Sequence, residues 1–361
     1  MPSILFVAPH RAGRNPSQRF RFEQYMPHLE AQGFRCELSH LVGPSDDAYF
    51  YAPGHFAKKL RFVAQCFLHR QRDLARLKEF DIVFIQREAL MTRSTWFERQ
   101  CRKRGARIVF DFDDSIWLSN VSAANRRWRW VKDAGKTSKL IALADRVFAG
   151  NDYLADYARR FNANVHVVPT TIDTDEYTSR NSRAPGPVCI GWSGSITTIQ
   201  HFQYAIPALK AIHERFGDQV CFRVVGDGSY RVPELGITGL PWRKDTELDD
   251  LRAMDIGIMP LPDDEWARGK CGLKGLQYMA LGIPTLMSPV GVNSEIIQDG
   301  VNGYLPRTTE EWVDSLARLI ADADLRRRMG EEARRTVEER YSTRAWRDRY
   351  LQHFNELLQR T

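Results

Sequence analysis

The 361-residue sequence holds only six cysteines, at positions 36, 66, 101, 189, 221 and 271, and no two of them form a C-x-x-C pair. That scatter excludes a disulfide framework and a zinc site of ordinary spacing, and it points to reduced thiols in a cytoplasmic protein. No apolar run approaches the roughly 18–20 residues that cross a bilayer. Residues 4–8 (ILFVA) are too short for the core of a signal peptide and read as a first strand. No internal repeat is present. What remains is 43% hydrophobic and 27% charged, the composition of a globular chain long enough for two domains with sizeable cores.

Charge is unevenly divided. Residues 1–168 carry 28 Lys and Arg against 17 Asp and Glu, a net of +11. The remaining 24 against 28 give −4, so the overall +7 arises in the first half. A basic half beside a mildly acidic one predicts that one domain meets an anionic surface or substrate.

Apolar runs at strand length alternate with helical periodicity throughout, which predicts parallel sheets covered on both faces. Strands are expected at 3–8, 35–41, 82–86, 107–111, 146–149 and 165–169, then at 188–193, 220–226, 255–260 and 284–288. Helices are expected at 18–32, 57–80, 152–161, 201–216 and 247–253, and nearly continuously from 310 on. The polar stretch 178–187 (TSRNSRAPGP) is the best linker. It divides the chain into 1–177 and 188–341.

The most informative stretch is 270–295, KCGLKGLQYMALGIPTLMSPVGVNSE. It follows a short buried strand and a loop. On a continuous helix Lys270, Lys274 and Gln277 share one face, with Gly272 and Gly275 removing bulk beside them. Two cations near a helix start at the carboxyl end of a strand make an anion site. The loop at 289–293, containing Gly291, Val292 and Asn293, offers further backbone N–H groups. The second half opens with VCIGWSGSITT at 188–198, where Gly194 and Ser195 follow a strand. This is a phosphate-cradle arrangement without G-x-G-x-x-G or a Walker pattern. A serine-capped strand–helix turn explains the same residues.

In the first half, FDFDDSIW at 110–117 puts Asp111, Asp113 and Asp114 at a strand's carboxyl end, where packing rarely calls for carboxylates. A D-x-D metal site and simple helix capping are the alternatives there. The loop HRAGRNPSQRFR at 10–21 supplies Asn15, Ser17, Arg19 and Arg21, and Arg87 ends the strand DIVFIQ. In a parallel sheet all of these gather at one edge. Segments 55–80 and 125–132 (NRRWRWVK) interleave basic and aromatic residues, which suits anionic headgroups and also single-stranded nucleic acid. A solvated helix face over a core stripe is the bland account.

The run Q-Y-M-A-L-G-I-P at 277–284 with G-V-N-S-E at 291–295 resembles the nucleotide-sugar site of family-4 retaining glycosyltransferases. Their helix reads roughly E-x7-E-A-M-A-x-G-x-P before a strand and a G-G-x-x-E loop. In this sequence Gly269 and Gln277 stand at the two Glu positions, and Glu295 matches the Glu of the loop. Asp113 and Asp114 match the family's His-Asp. The resemblance implies a GT-B fold: two Rossmann-like doubly wound domains facing across a cleft, with the C-terminal helix, about 342–361, returning to the first domain. It implies Gly194, Ser195, Trp242, Arg243, Lys270, Lys274, Gln277, Gly291, Val292, Asn293 and Glu295 at the donor. Asp113, Asp114, Lys270 and Lys274 are the implied catalytic set, and Asn15, Ser17, Arg19, Arg21 and Arg87 lie on the acceptor side.

The implied activity is transfer of a sugar from a nucleotide-diphosphate sugar to an acceptor hydroxyl with retention, in bacterial surface or extracellular glycan synthesis. No cofactor and no metal are expected, the nucleotide sugar being a substrate. The expected partners are a glycan or lipid-linked acceptor and an anionic membrane surface, not nucleic acid. The expected place is the cytoplasm, peripheral on the inner face of the plasma membrane. A nucleotide-sugar epimerase of the same fold and a catalytically silent carbohydrate- or nucleic-acid-binding protein are the alternatives.

Overall fold

The computed structural model describes residues 1–50, 54–118, 135–179 and 186–359. The segment 125–132 and most of the expected linker lie outside them. The chain forms two units, Met1–Pro169 with Arg347–Thr361, and Thr170–Trp346.

The first unit is built on strands β1 (Ser3–His10), β2 (Arg35–Val42), β3 (Ile82–Gln86), β4 (Arg107–Phe112), β5 (Arg146–Ala149) and β6 (Val165–Val167). They form one parallel sheet in the order β2-β1-β3-β4-β5-β6. Every residue of β1 and β3 is buried, as the unbroken apolar runs require for a sheet covered on both faces. The final helix, Thr343–Gln359, lays Tyr350, Phe354 and Leu357 into this core. Tyr350 stacks on Tyr25 at 4.2 Å between centroids, and Phe354 lies 6.2 Å from Phe84. Each such aromatic contributes roughly 1.5–3 kcal/mol by burial.

The second unit has β7 (Val188–Ser193), β8 (Val220–Gly226), β9 (Arg231–Val232), β10 (Ile237–Thr238), β11 (Leu240–Pro241), β12 (Ile256–Met259), β13 (Thr285–Met287) and β14 (Gly303–Tyr304). Strands β9 and β10 make a small antiparallel ribbon. The rest form a parallel sheet ordered β11-β8-β7-β12-β13-β14. In each sheet the order reverses beside the first strand, between β1 and β3 and between β7 and β12. Ligands of open parallel sheets bind at the carboxyl ends of such reversals.

Two expected helices are broken, each for a reason in the sequence. The span 18–32 forms Pro16–Arg19 and Met26–Ala31 separately, with Pro27 in the first turn of the second. The span 201–216 restarts as Ile206–Phe216 with Pro207 in its first turn. A proline lacks the N–H that a continuing helix needs and tolerates only a first turn. The chain enters the second unit at Thr170, ahead of the expected linker. Arg334 holds this segment by donating to the Thr174 and Tyr177 carbonyls of the same unit.

Candidate functional site

In the second unit the strand–helix connections leave the carboxyl edge of the sheet. Those after β7, β11, β12 and β13 carry the expected site residues, and because the strands are parallel they lie at one edge. Helix Leu273–Ala280 follows β12. Its start at Leu273, with Gly272 at φ 71, leaves Lys270 ahead of the helix. The expected shared helical face of Lys270, Lys274 and Gln277 is therefore corrected. A side chain at Gly272 would meet Ile296 Cδ1 at 2.3 Å, and one at Gly275 would overlap the Met287 side chain. These glycines let the helix pack on its neighbours and do not open the backbone to a ligand.

Each lysine lies over an indole. Lys270 Nζ sits 4.8 Å from the centre of Trp266, and Lys274 Nζ 5.6 Å from Trp192. Trp192 is buried in β7, and its ring edge lies 2.3 Å from where a side chain at Gly194 would begin. The indole therefore brings Lys274 to the β7 turn. Such contacts add about 0.5–1 kcal/mol to holding a cation in place.

The β7 turn is largely self-satisfied. The Gly194 N–H donates to Val225 O at 2.9 Å and the Ser195 N–H to Thr198 Oγ1 at 2.9 Å. Ser193 is tied through its N–H to Tyr278 Oη at 2.6 Å. The expected amide cradle at Gly194 and Ser195 is thus replaced by exposed hydroxyls of Ser195 and Thr197, which leaves the lysines as the source of positive charge. After β13, Gly291 adopts φ 56, and a side chain there would meet Arg268 O at 2.7 Å. The Gly291 and Val292 N–H groups donate to no described residue. Asn293 is fully buried and its Nδ2 donates to Ser288 O at 3.0 Å, so it pins the turn and cannot touch a donor. Glu295 is exposed and lines a separate cavity of about 630 Å³ with Arg335, Glu339 and Arg340.

The largest departure concerns Gln277. Its side chain is 5% exposed, and Nε2 donates to Tyr177 Oη at 2.9 Å and to Glu247 Oε1 at 3.4 Å. Glu247 also accepts from Trp242 Nε1 at 3.0 Å and from Tyr177 Oη at 3.2 Å. Trp242 is thereby fixed as a half-buried wall, while Arg243 is exposed and folds back on Asp245 at 2.6 Å. Sequence reasoning missed Glu247 and Tyr177. Glu247 opens helix Glu247–Arg252 and reads as an ordinary acidic first-turn residue.

In the first unit the carboxyl edge holds a compact charged cluster. Arg87, at φ 60, donates its N–H to Asp111 O at 2.8 Å and its Nε to Asp113 Oδ1 at 2.8 Å. Asp114 lies 3.7 Å from the same guanidinium. Burial pushes the Asp113 carboxyl up, but Arg87, Arg21 and a Ser17 hydrogen bond outweigh it and hold the group below its usual range. Ser17, Arg87 and Asp113 are thus brought together.

Arg21 is not a ligand contact. It is 1% exposed and pairs with buried Asp111, Nε donating at 3.2 Å, and donates to Val168 O. Arg19 is likewise buried, over the Phe20 ring. Asn15 caps helix Pro16–Arg19 by accepting the Ser17 N–H at 2.8 Å. With Asp111 facing Arg21 and Asp113 facing Arg87, the D-x-D carboxylates are neutralised by guanidinium groups. Among the described residues no group of three or more His, Cys, Asp or Glu could hold a metal ion.

Residues 187–322 match the family of Glycosyl transferases group 1. A D-inositol 3-phosphate glycosyltransferase of Nocardia farcinica is 27% identical over 226 residues, 53% of this chain and 48% of that protein. The chain thus spans about half the length of that curated relative. Among solved structures, a sucrose-phosphate synthase from Thermosynechococcus elongatus superposes with a TM-score of 0.70 at 14% identity, covering all of both chains. The Anabaena HepE protein solved with UDP-glucose superposes with a TM-score of 0.68 at 14% identity, covering 99% of this chain and 100% of that one. The chain has the GT-B fold of these glycosyltransferase structures, and the Glycosyl transferases group 1 match covers most of its second unit.

Proposed function

We propose that the protein transfers a sugar from a nucleotide-diphosphate sugar to an acceptor hydroxyl, with retention of anomeric configuration and without a metal ion. The observation that carries this reading is the placement of Lys270 and Lys274 after β12, at the carboxyl edge of the second sheet, the edge that also carries the Gly291 turn after β13. That set suits a diphosphate whose charge grows as the glycosidic bond breaks. The family match over this unit and the UDP-glucose held by the HepE structure support a nucleotide-sugar donor.

The acceptor oxygen attacks the anomeric carbon from the face that the diphosphate leaves, the bond to the diphosphate breaks, and the departing phosphate takes the acceptor proton. Asp113, held by Arg87 and Ser17, orients the sugar or the acceptor. The acceptor is a glycan or lipid-linked glycan of bacterial surface synthesis, met at an anionic membrane face. Helix Phe56–Ala75 supports that location, exposing Phe56, Leu60 and Leu68. No helix of the described residues is long and apolar enough to cross a membrane.

A thermal-shift screen with UDP-, GDP- and ADP-sugars tests the reading, because a ligand that binds the folded state raises its stability. One nucleotide class should raise Tm, and sugar transfer with that donor should survive excess EDTA. No shift with any nucleotide sugar overturns the reading. Loss of transfer on chelation, restored by Mn²⁺, moves it to the D-x-D alternative. Release of free epimerised sugar identifies the epimerase.

A further inference from the structure

Helix Leu273–Ala280 meets the end of β7 at two points about one turn apart. Lys274 lies over the Trp192 indole, and Tyr278, four residues on, reaches Ser193. Residues at i and i+4 share a helix face, so both contacts come from one side of the helix. The second contact is the firmer. Tyr278 is fully buried, and its Oη accepts the Ser193 N–H at 2.6 Å and lies 2.9 Å from Ser193 Oγ. Gly257 makes room for it, since a side chain there would begin 2.4 Å from the Tyr278 ring. In the pattern E-A-M-A the place of Tyr278 is held by alanine, whose methyl could not reach Ser193.

The Tyr278 hydroxyl takes the part of a missing strand. The Gly194 N–H turns to Val225 O in β8, so the Ser193 N–H, one residue earlier, points the other way, toward β12. Pairing of β7 with β8 continues to Ser193, but pairing with β12 ends at Gly191, and β12 goes on beside β13 to Met259. Strands β7 and β12 therefore part before β7 ends, at the place where the strand order reverses. A buried N–H left there without an acceptor would be costly. Tyr278 supplies the acceptor and lets the two strands stay apart.

We infer that Tyr278 is a positioning residue for the transfer step: its hydroxyl fixes the end of β7 against the helix, so that Lys274 and the β7 turn meet the donor diphosphate together. The inference rests on the nucleotide-sugar reading of this edge. Being fully buried, Tyr278 touches no substrate. It acts chiefly through Lys274, so its effect belongs to the charge that develops as the diphosphate leaves.

The test is steady-state transfer from the nucleotide sugar that raises the wild-type Tm, with Y278F, K274A and the double variant. Y278F removes one oxygen and keeps the ring. Its kcat should fall about tenfold while the donor KM stays within about threefold of wild type, because the lost effect lies in the transition state. In the K274A background the same change should cost less than about threefold, since the group it positions is gone. A merely structural tyrosine would lower Tm and leave kcat unchanged, or would lower kcat by the same factor in both backgrounds. Either result overturns the inference. Amide hydrogen exchange on the unmutated protein is a second measurement that does not depend on Y278F folding. The Ser193 amide should exchange only through global unfolding, with and without nucleotide. A Ser193 amide that exchanges readily until nucleotide is added also overturns the inference, because the ligand then makes the tie. These outcomes leave the nucleotide-sugar reading intact. A wild type that transfers from no nucleotide sugar overturns both.

Discussion

Arg87 holds a left-handed backbone conformation that costs a non-glycine residue of order 1 kcal/mol or more. The cost is offset by its N–H bond to Asp111 and its ion pair with Asp113. Asp113, held below its usual range, contributes stability that is present above about pH 4 and lost as pH falls through its folded value. R87A leaves burial as the dominant influence on Asp113, so the acid limb of a turnover–pH profile should move upward. An unmoved limb shows that Arg87 does not set it. Lys274 acts on the other sheet edge, and removing a charged hydrogen bond worth roughly 1.5–3 kcal/mol should lower turnover about ten- to a hundredfold in K274A. K270A should lose less, and unchanged kinetics in both would remove the lysines from the mechanism.

Helix Phe56–Ala75 carries two apolar faces. Phe62, Cys66 and Leu74 are buried against the first unit, while Phe56, Leu60 and Leu68 are 55%, 71% and 55% exposed. At 100° per residue the exposed set spans one sector, and Arg61 and Arg72 border it, both exposed. An apolar strip edged by cations fits an anionic bilayer surface, each cation adding about 1 kcal/mol. Sedimentation with vesicles should require anionic lipid and weaken as salt rises, and L60E/L68E should abolish it. Equal recovery on neutral vesicles counts against the membrane face. This helix was legible from its composition, since basic and aromatic residues alternate along it. The Lys270 position was not, because helical spacing cannot show that Gly272 starts the helix after it. Glu247 was also hidden: its partner lies 30 residues on, and nothing local marks a first-turn glutamate as half of a pair.

At the scale of the molecule, strand periodicity sufficed to read both parallel sheets, but the two-residue strands β11 and β14 are too short to leave a period. Two histidines of the first unit, His10 buried and His353 partly buried, make its stability acid-sensitive. Burial and then Arg14 lower His10 to about 4, and burial, His166 and Arg146 lower His353 to about 4. The unfolded chain takes protons near pH 6.5 that the folded chain refuses. Stability is therefore greatest above that pH and falls between about 6.5 and 4, by roughly 2 kcal/mol at pH 5 for His10 alone. Thermal melts should show this slope, and H10Q should flatten it; a slope unchanged in H10Q assigns the loss to other groups. The helix Thr343–Gln359 has a consequence in time. Residues 170–346 form one uninterrupted unit, whereas the first unit needs residues 347–359 to cover Tyr25, Phe84 and Phe148. On the ribosome the earlier-made unit must therefore wait with an open aromatic core until the later-made one has emerged, and the second unit is the first to finish folding.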